Sequence, residues 1–390
     1  MKKSILFPLF LLALIFLFGI VGWALSGHGT IGLLWVTPVT IYAFVLIGVL
    51  AIALIGLFTW YWRLSRGGKG PGGRKLSFII LAISIICIVS VSYGFAQLGG
   101  LPHATDIKHI SQLSIHETDG QKLHFAVGSD THFGSGKNSP DQTAAMLAQI
   151  SDPANEYDIF FFLGDFVEYG FKDSQWEEAL DAFSPAASTV PFRFIPGNHD
   201  TLFGGLSRYI DYCSPVVTES QNNSRLWYRV DVGRVHFLML DVEWSAETFT
   251  KEQADWLETQ LSNIPSGDWK IIMSHGFYYS SGSTSAGWDW FDNPETISAL
   301  VPLFERYGVD VVFSGHNHSL EFLQNSGVSY VVCGGFGGKL DPPATYISPS
   351  SIWLQSGQFG FVDVTINANE ATLDFRDPDS DVLKSFTIYH

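Results

Sequence analysis

The sequence predicts an α/β domain, with central sheets covered by helices, behind a membrane region of about three transmembrane helices. Three observations predict this. All 38 acidic residues of the 390-residue chain lie after residue 98, so charge is sharply segregated. From residue 111 onward, short apolar runs of strand character alternate with helical patterns. Short polar clusters follow strand after strand, where ligands gather in open α/β sheets.

Residues 1–98 hold seven basic residues and no acid. The remainder holds 15 basic residues against 38 acids, a formal balance of −23. Apolar runs at about 4–26, 36–62 and 76–96 are each long enough to cross a bilayer core. Between the second and third lies RGGKGPGGRK, too glycine-rich for a helix. With Arg63, Arg66, Lys69, Arg74 and Lys75 it reads as a cytoplasmic loop. Lys2 and Lys3 put the N-terminus on the same side, so everything after about residue 98 is expected outside the cytoplasm. No charge lies inside a span, which argues against transport. The acidity beyond residue 98 argues against nucleic acid as a partner but not against a phosphate substrate, because bound cations can reverse a local field.

Residues 99–121 form a linker and a first strand, and 122–390 the catalytic-type domain. Ser111–Thr118 and Lys122–Gly128 flank Asp119-Gly120, a hairpin signal. Tyr157–Leu163 is a continuous apolar run, as in a strand buried on both faces. Pro191–Ile195, Leu226–Val232, Val235–Leu240, Trp269–Met273, Val309–Phe313 and Ser329–Val332 read as further strands. Asp173–Phe183, Thr250–Ile264 and Pro294–Tyr307 read as helices. Thr250 is the expected N-cap of the second, with Trp256, Leu257 and Leu261 on its buried face. The stretch 358–389 carries two or three strand patterns. Cys213 and Cys333 match no zinc spacing and could pair or stay reduced.

Five polar clusters each follow an apolar strand: Asp130-Thr131-His132, Gly164-Asp165, Gly197-Asn198-His199-Asp200, Ser274-His275-Gly276 and Gly315-His316-Asn317-His318. Aspartate, asparagine and histidine without thiolate suit Mn, Fe or Zn. In an extended segment, residues two apart such as Asp130 and His132, or His316 and His318, project to one side. Any one cluster alone is more often a turn or cap. All five together, in this order, are a metal-site pattern. His103, His109, His116, His124, His236 and His390 lie away from these clusters and read as structural or surface groups. Phe336, Trp288 and Trp290 are candidates for either pocket lining or packing.

The order DxH, GD, GNHD, H, GHxH resembles the calcineurin-like metallophosphoesterases over about residues 122–340. The resemblance implies a four-layer αββα sandwich with two divalent metal ions. It implies that Asp130, His132 and His318 bind the first metal, that Asp165 bridges, and that Asn198, His275 and His316 bind the second. His199 would face substrate as an acid or phosphate-binding group, with Asp200 behind it as orienter. The wider spacing is similar to the purple acid and tartrate-resistant branch, whose metal-binding tyrosine falls three residues after the bridging aspartate. Here that position is Glu168, and Tyr169 comes one residue later. Mn, Zn or Fe(II) is therefore expected rather than a ferric–tyrosinate centre. The implied reaction is hydrolysis of a phosphate mono- or diester by a hydroxide that two metals activate, at the extracytoplasmic membrane face. The anchor makes lipid or envelope phosphates plausible substrates. The alternative is a catalytically silent binding or scaffold protein of the same fold, which would normally have lost ligands. None is lost here.

Overall fold

The computed structural model describes residues 109–110, 113–115, 122–202, 205–213, 224–285 and 288–390. These residues belong to one compact unit, Ala104–His390. The expected membrane spans, the cytoplasmic loop, His103 and His116 lie outside the described residues. Among the described residues no helix is long and apolar enough to cross a membrane.

Fifteen strands and six α-helices, with one short 3-10 helix at Pro153–Asn155, make up the described residues. In order they are β1 (Lys122–Gly128), α1 (Pro140–Ser151), β2 (Ile159–Phe162), α2 (Asp173–Ala187), β3 (Phe192–Phe194), α3 (Asn198–Thr201), α4 (Leu206–Tyr212), β4 (Tyr228–Val232), β5 (Val235–Met239), α5 (Lys251–Asn263) and β6 (Trp269–Met273). A two-residue ladder β7 (Thr284–Ser285) and β8 (Trp288–Asp289) follows, then α6 (Pro294–Tyr307), β9 (Val311–Ser314), β10 (Leu320–Asn325), β11 (Val328–Cys333), β12 (Ser351–Gln355), β13 (Phe361–Asn367), β14 (Glu370–Arg376) and β15 (Val382–Tyr389).

The strands form a six-stranded sheet, β15-β14-β13-β1-β2-β3, and a seven-stranded sheet, β12-β10-β11-β9-β6-β5-β4. Strand alternation sorts their side chains into layers. Phe125, Val127, Phe161 and Leu163 of the first sheet pack against Phe237, Met239, Ile271, Met273 and Phe313 of the second. The opposite face of the first sheet, with Ala126, Phe160 and Phe162, is covered by Met146, Ile150, Trp176, Phe183 and Tyr209 of α1, α2 and α4. The outer face of the second, with Leu238, Ile272 and Val312, meets Leu257, Leu261, Leu300 and Phe304 of α5 and α6. This gives two sheets with helices on both outer faces.

Local chemistry accounts for the helix ends. Thr250 accepts from the Gln253 amide at 3.2 Å, the expected cap of α5. Asn293 does the same for Thr296 on α6, which stops at Gly308 in a left-handed conformation. Trp256 is only partly buried, so Leu257 and Leu261 carry the contact.

One expectation is corrected. The hairpin partner of Lys122–Gly128 is not Ser111–Thr118. Both edges of β1 are taken, by β13 antiparallel and β2 parallel, and Leu113–Ile115 lie outside any strand. Sequence reasoning also missed α1, whose signal is Pro140 in the first turn and buried Met146, Leu147 and Ile150. Cys213 and Cys333 are buried in different layers of the core.

Candidate metal centre

The five polar clusters converge because their strands are neighbours. β1, β2 and β3 run parallel side by side in one sheet, and β6 and β9 do so in the other. Asp130, Asp165 and Asn198 leave the carboxyl ends of the first group; His275 and His316 leave the second. Four residues of the clusters take positive φ: Asp130 at 70°, His132 at 48°, Asp165 at 55° and His316 at 68°. Each such turn costs about 1 kcal/mol or more for a residue with a Cβ, and strain of this kind concentrates at functional sites. Gly197 and Gly315 permit the close approach. A Cβ at Gly197 would strike Asp165, and one at Gly315 would strike Ser129 and Asp130.

Hydrogen bonds aim each ligand. Asp130 Oδ2 accepts from Ser129 Oγ at 2.6 Å and from the His316 amide at 2.9 Å, which turns Oδ1 into the site. Asp165 Oδ1 accepts from the His199 amide at 2.9 Å. That leaves Oδ2, which lies 3.3 Å from both His132 Nε2 and His275 Nε2. His132 Nδ1 meets Glu168 Oε2 at 3.0 Å, His275 Nδ1 meets the Leu163 carbonyl at 2.7 Å, and His318 Nδ1 meets the Lys339 carbonyl at 2.6 Å. With Nδ1–H donated outward in each, the Nε2 lone pairs face inward.

Two donor sets result. The first gathers Asp130, His132 and His318, with Oδ1 of Asp130 3.6 Å from His132 Nε2 and 3.3 Å from His318 Nε2. The second gathers Asp165, His275 and His316, with Nδ1 of His316 3.2 Å from His275 Nε2. Asn198 Oδ1 adds to it, 3.1 Å from His275 Nε2. Edges of this length fit ligands about 2.0–2.2 Å from a central ion. Facing lone pairs and carboxylate oxygens repel unless a cation lies between them. Asp130 Oδ1 and His132 Nε2 are buried without a hydrogen-bond partner, as groups awaiting an ion would be. The residues present thus fit divalent metal ions, with Asp130, His132 and His318 gathered in one group and Asp165, His275 and His316 in another.

Protonation tells the same story. Burial disfavours the charged form of His275, but the Asp165 and Asp130 carboxylates outweigh it and raise that ring to about 9. Burial likewise opposes protonation of His132, yet the neighbouring Asp130, Glu168 and Asp165 carboxylates raise it well above its ordinary value. Against burial, the surrounding histidines hold Asp130 well below the usual carboxylate range. Protons here take the place of cations. His316 goes the other way, down to about 3, through burial and the His275 charge.

His199 lies at the rim, its side chain 23% exposed. One of its ring nitrogens falls within 4.8 Å of His132 and Asp165 donor atoms. Its Nδ1 is 2.8 Å from the Glu168 carbonyl. The expected role of Asp200 is corrected here. Asp200 accepts from the backbone amides of Asp165 at 2.8 Å, Gly197 at 3.0 Å and Val167 at 3.2 Å, while the Glu168 carbonyl orients His199. Asp200 is therefore a buried clamp on the loop that carries Asp165. Burial and the Asp165 charge push it up to about 7, against the pull of the Gly197 and Val167 amides.

Sequence reasoning missed Glu168 as a partner of His132. It also missed Trp244, whose ring centroid is 4.7 Å from that of His316. Trp290 stacks on His316 at 5.3 Å, and Phe277 packs 5.7 Å from it. Phe336 is core, beneath α1 and α2. Tyr169 turns outward, 36% exposed, with Lys172 Nζ 4.5 Å above its ring. His124, His236 and His390 pair with Asp363, Asp231 and Asp310, away from the site, and His109 bonds the Ile110 carbonyl.

The calcineurin-like phosphoesterase family matches residues 123–320. A nucleotide pyrophosphatase/phosphodiesterase of Hordeum vulgare is 28% identical over 278 residues, 62% of this chain and 74% of that protein. Probable inactive purple acid phosphatase 24 of Arabidopsis thaliana is 26% identical over 283 residues, 63% of this chain and 45% of that protein. The structure of a purple acid phosphatase from yellow lupin (Lupinus luteus) seeds superposes with a TM-score of 0.59 at 23% identity, covering 72% of this chain and 55% of that one. That last likeness is one of fold. The chain spans about half the length of the second and third of these proteins.

Proposed function

The chain belongs to the calcineurin-like phosphoesterase family, and on that premise we propose that it is a metal-dependent hydrolase of phosphate mono- or diesters. The observation that carries the reading is Asp165 Oδ2, which stands 3.3 Å from a histidine of each donor set. A single oxygen shared in this way is what a two-metal site needs. Two divalent ions held there would supply positive charge to bind phosphate oxygens and to acidify a water.

The chain's own groups do the rest. Asp130 and Asp165 fix the position of that charge through bonds to Ser129, His316 and His199. His199 stands at the rim for the leaving oxygen. In its protonated form, Nδ1–H is donated to the Glu168 carbonyl and Nε2–H is left for transfer. Trp244, Trp290 and Phe277 close the site on the His316 side. In this proposal the charge-free apolar runs of residues 1–98 tether the domain to the extracytoplasmic membrane face, within reach of lipid or envelope phosphates.

The test is hydrolysis of an aryl phosphate and a bis-aryl phosphate by the purified full-length chain. It is run after chelation and again after adding back Mn, Zn or Fe(II). Activity lost on chelation and restored by metal supports the reading, and the ratio of the two rates assigns mono- or diester preference. Two bound metals per chain with no hydrolysis of any ester in a panel that includes nucleotides would favour the silent binding protein. Reporters fused after residues 70 and 100 test the tether, and finding both on one side rejects three spans.

A further inference from the structure

The outer nitrogens of the ligand histidines are not held alike. His275 and His318 bond to backbone carbonyls, at Leu163 and Lys339. His132 instead meets a charged side chain, with Glu168 Oε2 3.0 Å from its Nδ1. We propose that Glu168 is a positioning residue that sets the metal affinity of the Asp130–His132–His318 set by aiming the His132 ring and strengthening its donor nitrogen. This rests on the two-metal reading of the site.

Geometry supports the assignment. Nδ1 and Nε2 point away from each other across an imidazole, so a bond that fixes the first aims the second. His132 Nε2 consequently faces Asp165 Oδ2 at 3.3 Å and Asp130 Oδ1 at 3.6 Å. A carboxylate behind a ligand histidine also raises its basicity, and loss of such a partner typically weakens metal binding 10–100-fold. Glu168 reaches the ring from its far side, so it acts through His132 rather than as a ligand. The family resemblance places a metal-binding tyrosine at this position. Here the carboxylate lies outside the donor set, and the neighbouring Tyr169 faces away.

The main chain of Glu168 has separate duties. Its amide donates to the Phe133 carbonyl at 3.0 Å, and its carbonyl receives His199 Nδ1 at 2.8 Å. A side-chain substitution therefore removes the His132 contact and leaves the carbonyl's bond to His199 Nδ1 in place, while it also takes away a carboxylate oxygen 3.9 Å from that ring.

The experiment titrates Co(II) into the metal-stripped full-length chain, followed by visible absorption and chelator competition. Glu168→Ala is compared with the near-isosteric Glu168→Gln, which keeps an acceptor and loses the charge. The expected result is two sites in the unsubstituted protein. One of them should weaken about 10-fold in Glu168→Gln and up to about 100-fold in Glu168→Ala, with the other unchanged. Excess metal should restore turnover in both variants, which a loss of folded structure would not allow. Two sites of unaltered affinity in both variants, or equal weakening of both sites, overturns the role of Glu168. No binding by the unsubstituted protein overturns the metal-centre reading itself, and the proposal with it.

Discussion

Replacing Asp200 by Asn separates a clamp from an orienter. The carboxylate holds three buried amides, with Oδ2 accepting from Asp165 and Gly197 and Oδ1 from Val167. An Asn oxygen at the Oδ2 position keeps two of these bonds. Its NH2 group then faces the Val167 amide, donor against donor, across 3.2 Å in the unsubstituted structure. Leaving that buried amide unsatisfied costs about 1–3 kcal/mol. For a unit of this size each kcal/mol lowers the melting temperature by about 2 °C, so a fall of about 2–6 °C is expected. The melt, followed by tryptophan fluorescence, belongs near pH 4: burial and Asp165 push Asp200 up to about 7, so at pH 8 removal of its buried charge would offset the lost bond. The loop after Asp165 loses its anchor at Val167 in the variant, so weaker metal binding should accompany the lower melting temperature. Asp200→Ala strips all three amides and should fail to fold stably. If Asp200→Asn melts and binds metal as the unsubstituted protein does but shifts the pH profile of turnover, Asp200 acts on His199 and the clamp is refuted.

Burial holds His199 below its ordinary pKa in spite of the Asp165 charge. Its protonated form is therefore favoured only at acid pH. Turnover of alkyl phosphates should fall as pH rises through that value, and His199→Ala should flatten the limb while two metals stay bound. An unchanged limb removes His199 as the proton donor. Asp241 is buried with an unpartnered Oδ1, and burial, then Glu247, raise it to about 7. A folded pKa above the unfolded value near 3.9 means stability present below about pH 4 and lost as pH rises through 7, at most about 4 kcal/mol. Asp241→Asn should therefore stabilise the protein at pH 8, with the gap closing toward pH 4, and a variant less stable at pH 8 contradicts this. Loaded with iron, the chain should lack a strong visible tyrosinate band, because Tyr169 is turned outward. Such a band, abolished by Tyr169→Phe, would show otherwise.

The candidate ligands were legible in the sequence because they follow buried strands, and apolar runs such as IFFF and VVFS mark those strands plainly. Strand ends fix where a side chain starts, so Asp130, Asp165, Asn198, His275 and His316 could be placed without coordinates. Hydrogen-bond partners are harder, since they depend on turn conformation. Asp200 follows His199 in sequence, yet the single helical turn of α3 directs its carboxylate back to the Gly197 amide. Glu168 reaches His132 through a loop bridge between Phe133 and Val167 that no local pattern announces. The hairpin signal at Asp119-Gly120 misled because β1 is central, and pairing with β13, more than two hundred residues away, overrides a local turn.

An anomalous-scattering map of crystals grown with Mn or Zn tests the central claim most directly. Two peaks are expected, one among Asp130, His132 and His318 and the other among Asn198, His275 and His316, both in contact with Asp165 Oδ2. A single peak away from Asp165, or none at these residues in protein that still cleaves phosphate esters, would contradict it.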